Sequence, residues 1–170
     1  MKIRPETPQD KGAIEQITLA AFNGKWYSDQ TEHLVINRLR EAGAMSVSLV
    51  AEIDGKVVGH VAFSVVTINS EDIGWYGLGP VSVSPELQKQ GIGLKLIREG
   101  LSLIKEKGAR GCVLEGNPEY YQKFDFKAYR GLFYEGTPDS KYFMALPFYA
   151  DVPEGKVEFH RAFYTNIEKI

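Results

Sequence analysis

The segment Val81-Ser82-Val83-Ser84-Pro85-Glu86-Leu87-Gln88-Lys89-Gln90-Gly91-Ile92-Gly93-Leu94 constrains this chain more than any other. A strand-like run ends, a short polar turn follows, and two glycines open a long helix. From Gly91 to Lys107 the apolar residues Leu94, Ile97, Leu101 and Ile104 form one stripe at helical spacing, and Gly108 stops the pattern. A helix start carries N–H groups without intrahelical acceptors and the positive end of the helix dipole. Glycines there remove the side chains that would block an anion, which makes the segment read as a phosphate or pyrophosphate cradle. Incidental glycines are the alternative. They explain less, because a glycine inside a helix costs about 1 kcal/mol against alanine.

The rest of the chain supplies the frame. Ile14, Ile17, Leu19, Ala21 and Phe22 predict a helix after Thr7-Pro8-Gln9-Asp10, and Leu34, Val35 and Leu39 a second over Thr31–Ala42. The period then changes. Val47, Leu49, Ala51 and Ile53 alternate with Ser48, Val50 and Glu52, Asp54-Gly55 follows, and a β-branched run takes over from Val57 to Val65. That is a β-hairpin with a two-residue turn.

Trp75–Val83 is irregular, with Gly77, Gly79 and Pro80 inside it. Propensity leaves two readings level: a loop before a short strand Val81–Val83, or a strand held off its neighbour so that its backbone can bind something. Cys112–Leu114 reads as a further strand, Tyr120–Phe124 as a brief helix, and Lys141–Phe148 and Gly155–Phe163 as two more strands. The order predicts a mixed α/β domain on one sheet, with a βαβ unit from Trp75 to Leu114. No boundary is visible, so residues 1–170 are read as one domain.

Composition excludes several functions. Twenty basic residues against 22 acidic ones give a net charge of −2, no footprint for nucleic acid. Hydrophobic residues are 44% and charged residues 25%, values of an ordinary globular chain rather than a disordered one. The one cysteine, Cys112, forms no internal disulfide, and Val57–Ile68 is too short and too interrupted to span a membrane. A cytoplasmic protein is expected. His33, His60 and His160 lack metal-ligand spacing, so no metal is expected. Leu96 stands where a dinucleotide fingerprint needs a third glycine or alanine, no Walker-type Gly-Lys-Ser/Thr occurs, and there is no Gly-x-Ser-x-Gly elbow.

Gln88-Lys89-Gln90-Gly91-Ile92-Gly93 resembles the Gln/Arg-x-x-Gly-x-Gly/Ala signature of the GCN5-related N-acetyltransferases, the GNAT superfamily. Gly79-Pro80-Val81-Ser82-Val83 precedes it and a long helix follows, as in that family. Downstream, Gly116-Asn117-Pro118-Glu119-Tyr120-Tyr121-Gln122-Lys123-Phe124-Asp125-Phe126 resembles the family's aromatic-Tyr-x-x-Phe-Gly-Phe segment, in the manner of a small bacterial branch with Gly-Asp-Pro-x-Tyr-Tyr. Asp125 replaces the usual glycine and Asn117 a common aspartate.

The resemblance implies the acyl-CoA N-acyltransferase fold: one central, mixed but mostly antiparallel sheet of about six to seven strands flanked by helices. It implies acetyl-CoA as co-substrate. Its pyrophosphate would lie on the N–H groups of Lys89, Gln90, Gly91, Ile92, Gly93 and Leu94, next to Gln88, and its pantetheine arm would pair with Val81, Ser82 and Val83. It also aligns Tyr121 with the family's general acid, leaving Tyr120 to packing, and it implies a backbone N–H near Val81 to polarise the carbonyl.

The function expected is acetyl transfer to a primary amine of a small molecule or peptide by direct attack. A non-catalytic acyl-CoA sensor with the same fold is the alternative, and a nucleotide-phosphate binder of another kind a third. No base stands out: Glu115, Glu71 and Asp72 are candidates beside water. The aromatic stretches Phe22–Thr31 and Tyr129–Lys141 are expected to line an acceptor pocket or a homodimer contact.

Overall fold

A computed structural model describes residues 1–134, 140–149 and 151–164. Strand β1 (Lys2–Pro5) leads through a 3₁₀ turn at Pro8–Asp10 into helices α1 (Lys11–Phe22) and α2 (Glu32–Glu41). Strands β2 (Val47–Ile53) and β3 (Lys56–Val65) form the expected hairpin. Asp54 and Gly55 both have positive φ, +51° and +77°, as a type I′ turn demands. Then come β4 (Thr67–Ile68), β5 (Trp75–Val83), α3 (Ile92–Glu106), β6 (Gly111–Glu115) and the one-turn helix α4 (Pro118–Tyr121), which continues as a 3₁₀ turn at Gln122–Phe124. Strands β7 (Leu132–Tyr134), β8 (Phe143–Pro147) and β9 (Gly155–Glu158) and a 3₁₀ turn at Arg161–Tyr164 complete the described chain.

Six strands make the main sheet in the order β1-β2-β3-β5-β6-β8, antiparallel except for the β5–β6 pair. The fold class is therefore as expected. The single sheet is not: β4, β9 and β7 form a second, three-stranded sheet, and only Gly155–Glu158 of the expected Gly155–Phe163 strand is extended. Strands of two to four residues are too short to display an alternation, so β1, β4 and β7 left no periodic signal. Pro147 is tolerated within β8 because β8 is an edge strand.

The period of two on each strand divides the core between the sheet's faces. Leu49, Val61, Phe63, Cys112 and Leu114 pack under α3 with Leu96, Ile97 and Ile104. On the opposite face Val50 and Val57 meet Ile14, Ile17 and Ile36 of α1 and α2, while Trp75, Val113, Phe143 and Ala145 meet Val66, between β3 and β4, and Leu132 and Val157 of the small sheet. Gly100 lets α3 lie directly on β3, for a Cβ there would overlap the Phe63 ring.

One buried polar cluster ties this second face together. Ser48 Oγ contacts the Glu6 carboxylate and lies 2.8 Å from His60 Nε2, and Arg40 donates to Glu6 from Nε at 2.8 Å and Nη2 at 3.1 Å. His60 is wholly buried and its Nδ1 has no partner among the described residues. Burial lowers the imidazole pKa below its ordinary value, against the pull of Glu6. Burial alone would raise Glu6, but hydrogen bonds from His60, Arg40 and Ser48 outweigh it and bring its pKa from 4.5 down to about 2.

Two stability outcomes follow. Gly100→Ala should lose about 1–3 kcal/mol through overpacking. Gly12→Ala, whose Cβ meets nothing within 4 Å in α1, should gain about 0.4–1 kcal/mol. Urea unfolding of both variants checks the contrast. Acid should act in two stages. Below pH 6.5 the unfolded chain protonates His60 while the fold resists, so stability falls. Below pH 4.5 the unfolded chain also binds a proton at Glu6 that the fold refuses until about pH 2, so the decline steepens. Unfolding free energies measured from pH 8 to pH 3 read both slopes, and His60→Gln should remove the first and, by disturbing the hydrogen bonds on Glu6, weaken the second.

Candidate active site

The β5–β6 pair opens where it might have continued. Parallel pairing runs Trp75↔Gly111, Tyr76↔Cys112 and Gly77↔Val113, and stops there. On its other edge β5 stays with β3, but Phe63 faces Leu78 while Val61 faces Val81. Gly79 and Pro80, joined by a cis peptide bond, thus stand together opposite Ala62 as a bulge. A bulge bends its strand, and this one lies just past the last pair that β5 shares with β6. The strand reading of Trp75–Val83 holds over the loop reading.

The free edge then presents selected groups. Ser84 N–H donates to the Val58 carbonyl at 2.9 Å. Bonded and non-bonded pairs alternate in an antiparallel ladder, so Ser82 bonds to its partner His60, while Val81 and Val83 direct N–H and C=O toward the gap. Ser82 is the exception among the three expected cofactor residues. Its backbone belongs to the ladder, and its buried hydroxyl donates to Thr18 Oγ1 at 3.2 Å. The side chain faces α1, not the gap.

The turn and the helix start meet this edge. Gln88 donates from Nε2 to the Val83 carbonyl at 3.0 Å, so its amide braces the strand end rather than reaching outward. Lys89 and Gly91 both have positive φ, +65° and +88°, and Lys89, Gln90 and Gly91 are exposed. Left-handed Gly91 followed by right-handed Ile92 converges successive N–H groups into an anion-binding nest. The first α3 bond runs from Lys95 N–H to the Gly91 carbonyl, which leaves the N–H groups of Ile92, Gly93 and Leu94 without intrahelical acceptors. A Cβ at Gly91 would enter open space. Ile92 anchors the cradle: its buried side chain and Leu96 press on Gly59, the partner of Val83 across the ladder. Leu94 is half-buried against the α3-side core.

Gly93 has the packing reason that its sequence context hides. A Cβ there would stand 3.2 Å from the Tyr120 hydroxyl and 3.7 Å from Val83 Cγ2. Tyr120 therefore reaches across to the first turn of α3. Tyr121 turns inward, its ring 4.9 Å from Tyr120, 6.2 Å from Phe124 and 6.1 Å from Phe126 between centroids. Gly116 makes room for it, since a Cβ there would sit 2.5 Å from Tyr121 Cε2. Burial, followed by the phenols of Tyr120 and Tyr27 and the Cys112 thiol, raises the Tyr121 pKa above its ordinary value. The hydroxyl keeps its proton at neutral pH. Asp125 adopts φ +72°, the left-handed conformation that the family's usual glycine supplies.

The other candidates separate. Glu115 ends β6 beside the gap and is exposed. Glu71 and Asp72 lie in the turn before Trp75, at the far end of β5 and roughly 20 Å of strand from Val81. Asp72 there accepts from Gly74 N–H at 3.1 Å. Cys112 is core, and burial pushes its thiol up. Among the described residues no group of three or more His, Cys, Asp or Glu could hold a metal ion, and no helix is long and apolar enough to cross a membrane. Of the expected acceptor stretches, Phe22, Trp26 and Tyr27 form an edge-to-face aromatic set with Trp26 91% exposed, and residues 135–139 lie outside the described chain.

Relatives share this arrangement. A GNAT family acetyltransferase from Brucella melitensis, whose crystal structure is a complex with acetyl-CoA, is 51% identical and superimposes with a TM-score of 0.86 over 95% of this chain and 97% of that one. The chain belongs to the GNAT acetyltransferase family. Residues 45–128 match the family model for the acetyltransferase (GNAT) domain, a span that holds the bulge, the cradle and both tyrosines. The uncharacterized N-acetyltransferase YhbS of Escherichia coli K12 is 35% identical over 75% of this chain and 74% of its own length. The crystal structure of E. coli YhbS in complex with CoA gives a TM-score of 0.87 at 31% identity, over 96% of this chain and 91% of that one. The six-stranded mixed sheet flanked by helices is thus the GNAT acyl-CoA N-acyltransferase fold.

Two groups went unremarked in the sequence: the Gln88 brace and the Gly116 seat for Tyr121. The glycine just before Asn117 was the available signal for the second. Gly116→Ala should displace the Tyr121 ring and cost about 1–3 kcal/mol. Chemical denaturation reads the loss, and the near-ultraviolet circular dichroism of the tyrosines reads the displacement.

Proposed function

We propose that the protein is an N-acetyltransferase that moves the acetyl group of acetyl-CoA directly to a primary amine of a small molecule or peptide. The observation that carries this reading is the β5 edge, open at Val81 and at the Val83 N–H, beside the N–H groups of Ile92–Leu94 that have no intrahelical acceptor. A pantetheine arm has two amides that can pair like a strand with such an edge, and a pyrophosphate suits such a helix start. The acetyl-CoA complex of the Brucella melitensis relative supports the same ligand.

The residues divide the work. Lys89, Gln90, Gly91, Ile92, Gly93 and Leu94 hold the pyrophosphate through backbone N–H groups, and Gln88 keeps the strand end in place. Val81 and Val83 hold the arm. Val81 N–H donates to the thioester oxygen, where negative charge grows as the amine attacks. An alkylamine has a pKa of about 10 and must first lose a proton. Glu115, which ends β6 beside the gap, or a water takes it, since Glu71 and Asp72 lie at the far end of β5. The C–N bond then forms and the C–S bond breaks. Tyr121 gives its proton to the departing thiolate and recovers one from solvent. Its raised pKa keeps it protonated before that step. The aromatic Phe22–Thr31 stretch, with Trp26 and Tyr27 exposed, supplies one wall for the acceptor.

Acetyl-CoA at a hundredfold excess over its dissociation constant should stabilise the protein by about 2.7 kcal/mol, visible as a rise in melting temperature. No shift at millimolar acetyl-CoA would overturn the reading. With a reactive amine from a screen, Tyr121→Phe should lower kcat by about 10²–10⁴-fold and leave acetyl-CoA affinity unchanged. Tyr120→Phe is the matched comparison and should keep most of the turnover; the reverse pattern would assign the acid to Tyr120.

A further inference from the structure

At the far end of β5 from the gap, a groove of about 290 Å³ is lined by Ile73, Trp75, Arg110, Tyr149, Asp151 and Pro153. That is just under the roughly 300 Å³ at which drug-sized sites begin, a size that suits a small metabolite. Trp75 lies six residues before Val81, roughly 20 Å of strand away, and no residue of the proposed transfer machinery lines the groove. Close contacts fix its shape. Arg110 N–H donates to the Gly74 carbonyl at 2.7 Å, and Phe148 N–H donates to the Arg110 carbonyl at 3.0 Å. Gly74 has φ +90°, and a Cβ there would stand 3.0 Å from Arg110 Cγ, so this glycine admits the stem of the arginine. A Cβ at Gly111 would overlap the Trp75 ring, so a second glycine seats the indole.

The polar groups are seated but unpaired. Among the described residues Arg110 and Asp151 form no ion pair, either with each other or with a third group. Trp75 is only 2% exposed, and its indole N–H has no acceptor among the described residues. A cation and an anion that share so small a groove without meeting leave room for a molecule that carries both charges. The guanidinium and the indole are donors only, which suits a carboxylate. The Asp151 carboxylate accepts only, which suits an ammonium. Ile73, Tyr149 and Pro153 add apolar surface, and the first two are among the exposed large hydrophobic residues of the molecule.

We propose that this groove binds a free α-amino acid with a large apolar side chain, its carboxylate on Arg110 and Trp75 and its ammonium on Asp151. The end of a peptide carries only one of the two charges on its terminal residue, so it satisfies half of the site. The groove shares no residue with the acetyl-CoA site proposed above, and the two readings stand independently.

Calorimetric titration of the whole protein with L-leucine and with L-phenylalanine, in the absence of acetyl-CoA, tests it. N-acetyl-L-leucine lacks the ammonium and L-leucinamide lacks the carboxylate, so each should bind about tenfold or more weakly than L-leucine. Arg110→Met keeps the stem, removes the charge and should erase the preference over L-leucinamide. Asp151→Asn should erase the preference over N-acetyl-L-leucine. Both side chains are exposed, so the fold should survive, and an unchanged melting temperature checks this. Failure of both amino acids to saturate the protein at millimolar concentration would overturn the proposal. So would L-leucine binding that both variants keep at full strength, which would assign the amino acid to another site such as the gap. Neither result bears on the acetyl-CoA reading, which the melting shift with acetyl-CoA decides separately.

Discussion

Pairing between β5 and β6 stops after Gly77 and Val113, and the proposed cofactor site depends on that stop. Two parallel strands that continued side by side would satisfy each other's backbone groups and leave nothing to bind with. The Gly79–Pro80 bulge prevents this. It stays within the β3 ladder on one edge and turns the other edge free, so Val81 and Val83 keep groups that a ligand can use. β6 meanwhile continues with β8 through Leu114 and Glu115, so the sheet remains whole around the gap.

What stands beside the gap is fixed by close contact rather than by charge. Ile92 and Leu96 press onto Gly59, across the ladder from Val83, and Gly100 lets α3 settle against Phe63. The helix start is thereby held at the end of β5. On the far side Gly116 admits the Tyr121 ring, and Phe124 and Phe126 close around it. Glycines at strand–helix and strand–turn contacts thus set the geometry of both walls.

The opposite face works differently. There Glu6, just after β1, joins Arg40 of α2, Ser48 of β2 and His60 of β3 by hydrogen bonds, with Thr18 and Ser82 linking α1 to β5 beside them. Such a network is directional and specifies how α1 and α2 sit on the sheet. It costs the burial of an imidazole whose Nδ1 has no partner among the described residues, which makes this face the acid-sensitive one. Its backbone consequence reaches the gap, because Ser82 is held between Thr18 and His60 while its neighbours Val81 and Val83 face the other way.

The amino-acid sequence alone determined the α3 stripe, the Asp54-Gly55 hairpin, the glycine-opened start of α3 and the tyrosine pair after β6. These signals are local: a period of 3.6 or 2, a turn dipeptide, a glycine pair at a helix start. They also sufficed for the family, because both of its motifs lie within such segments. Tertiary structure decided everything that depends on partners distant in the chain. It settled that Trp75–Val83 is one bulged strand, that Ser82 faces α1, that Gln88 braces Val83, and that Gly93 answers to Tyr120. It decided the second sheet as well, since β4 and β7 are each too short to carry a period. A strand of two or three residues exists only through its neighbours, and which edge of a strand stays free is a property of the sheet, not of the residues that form it.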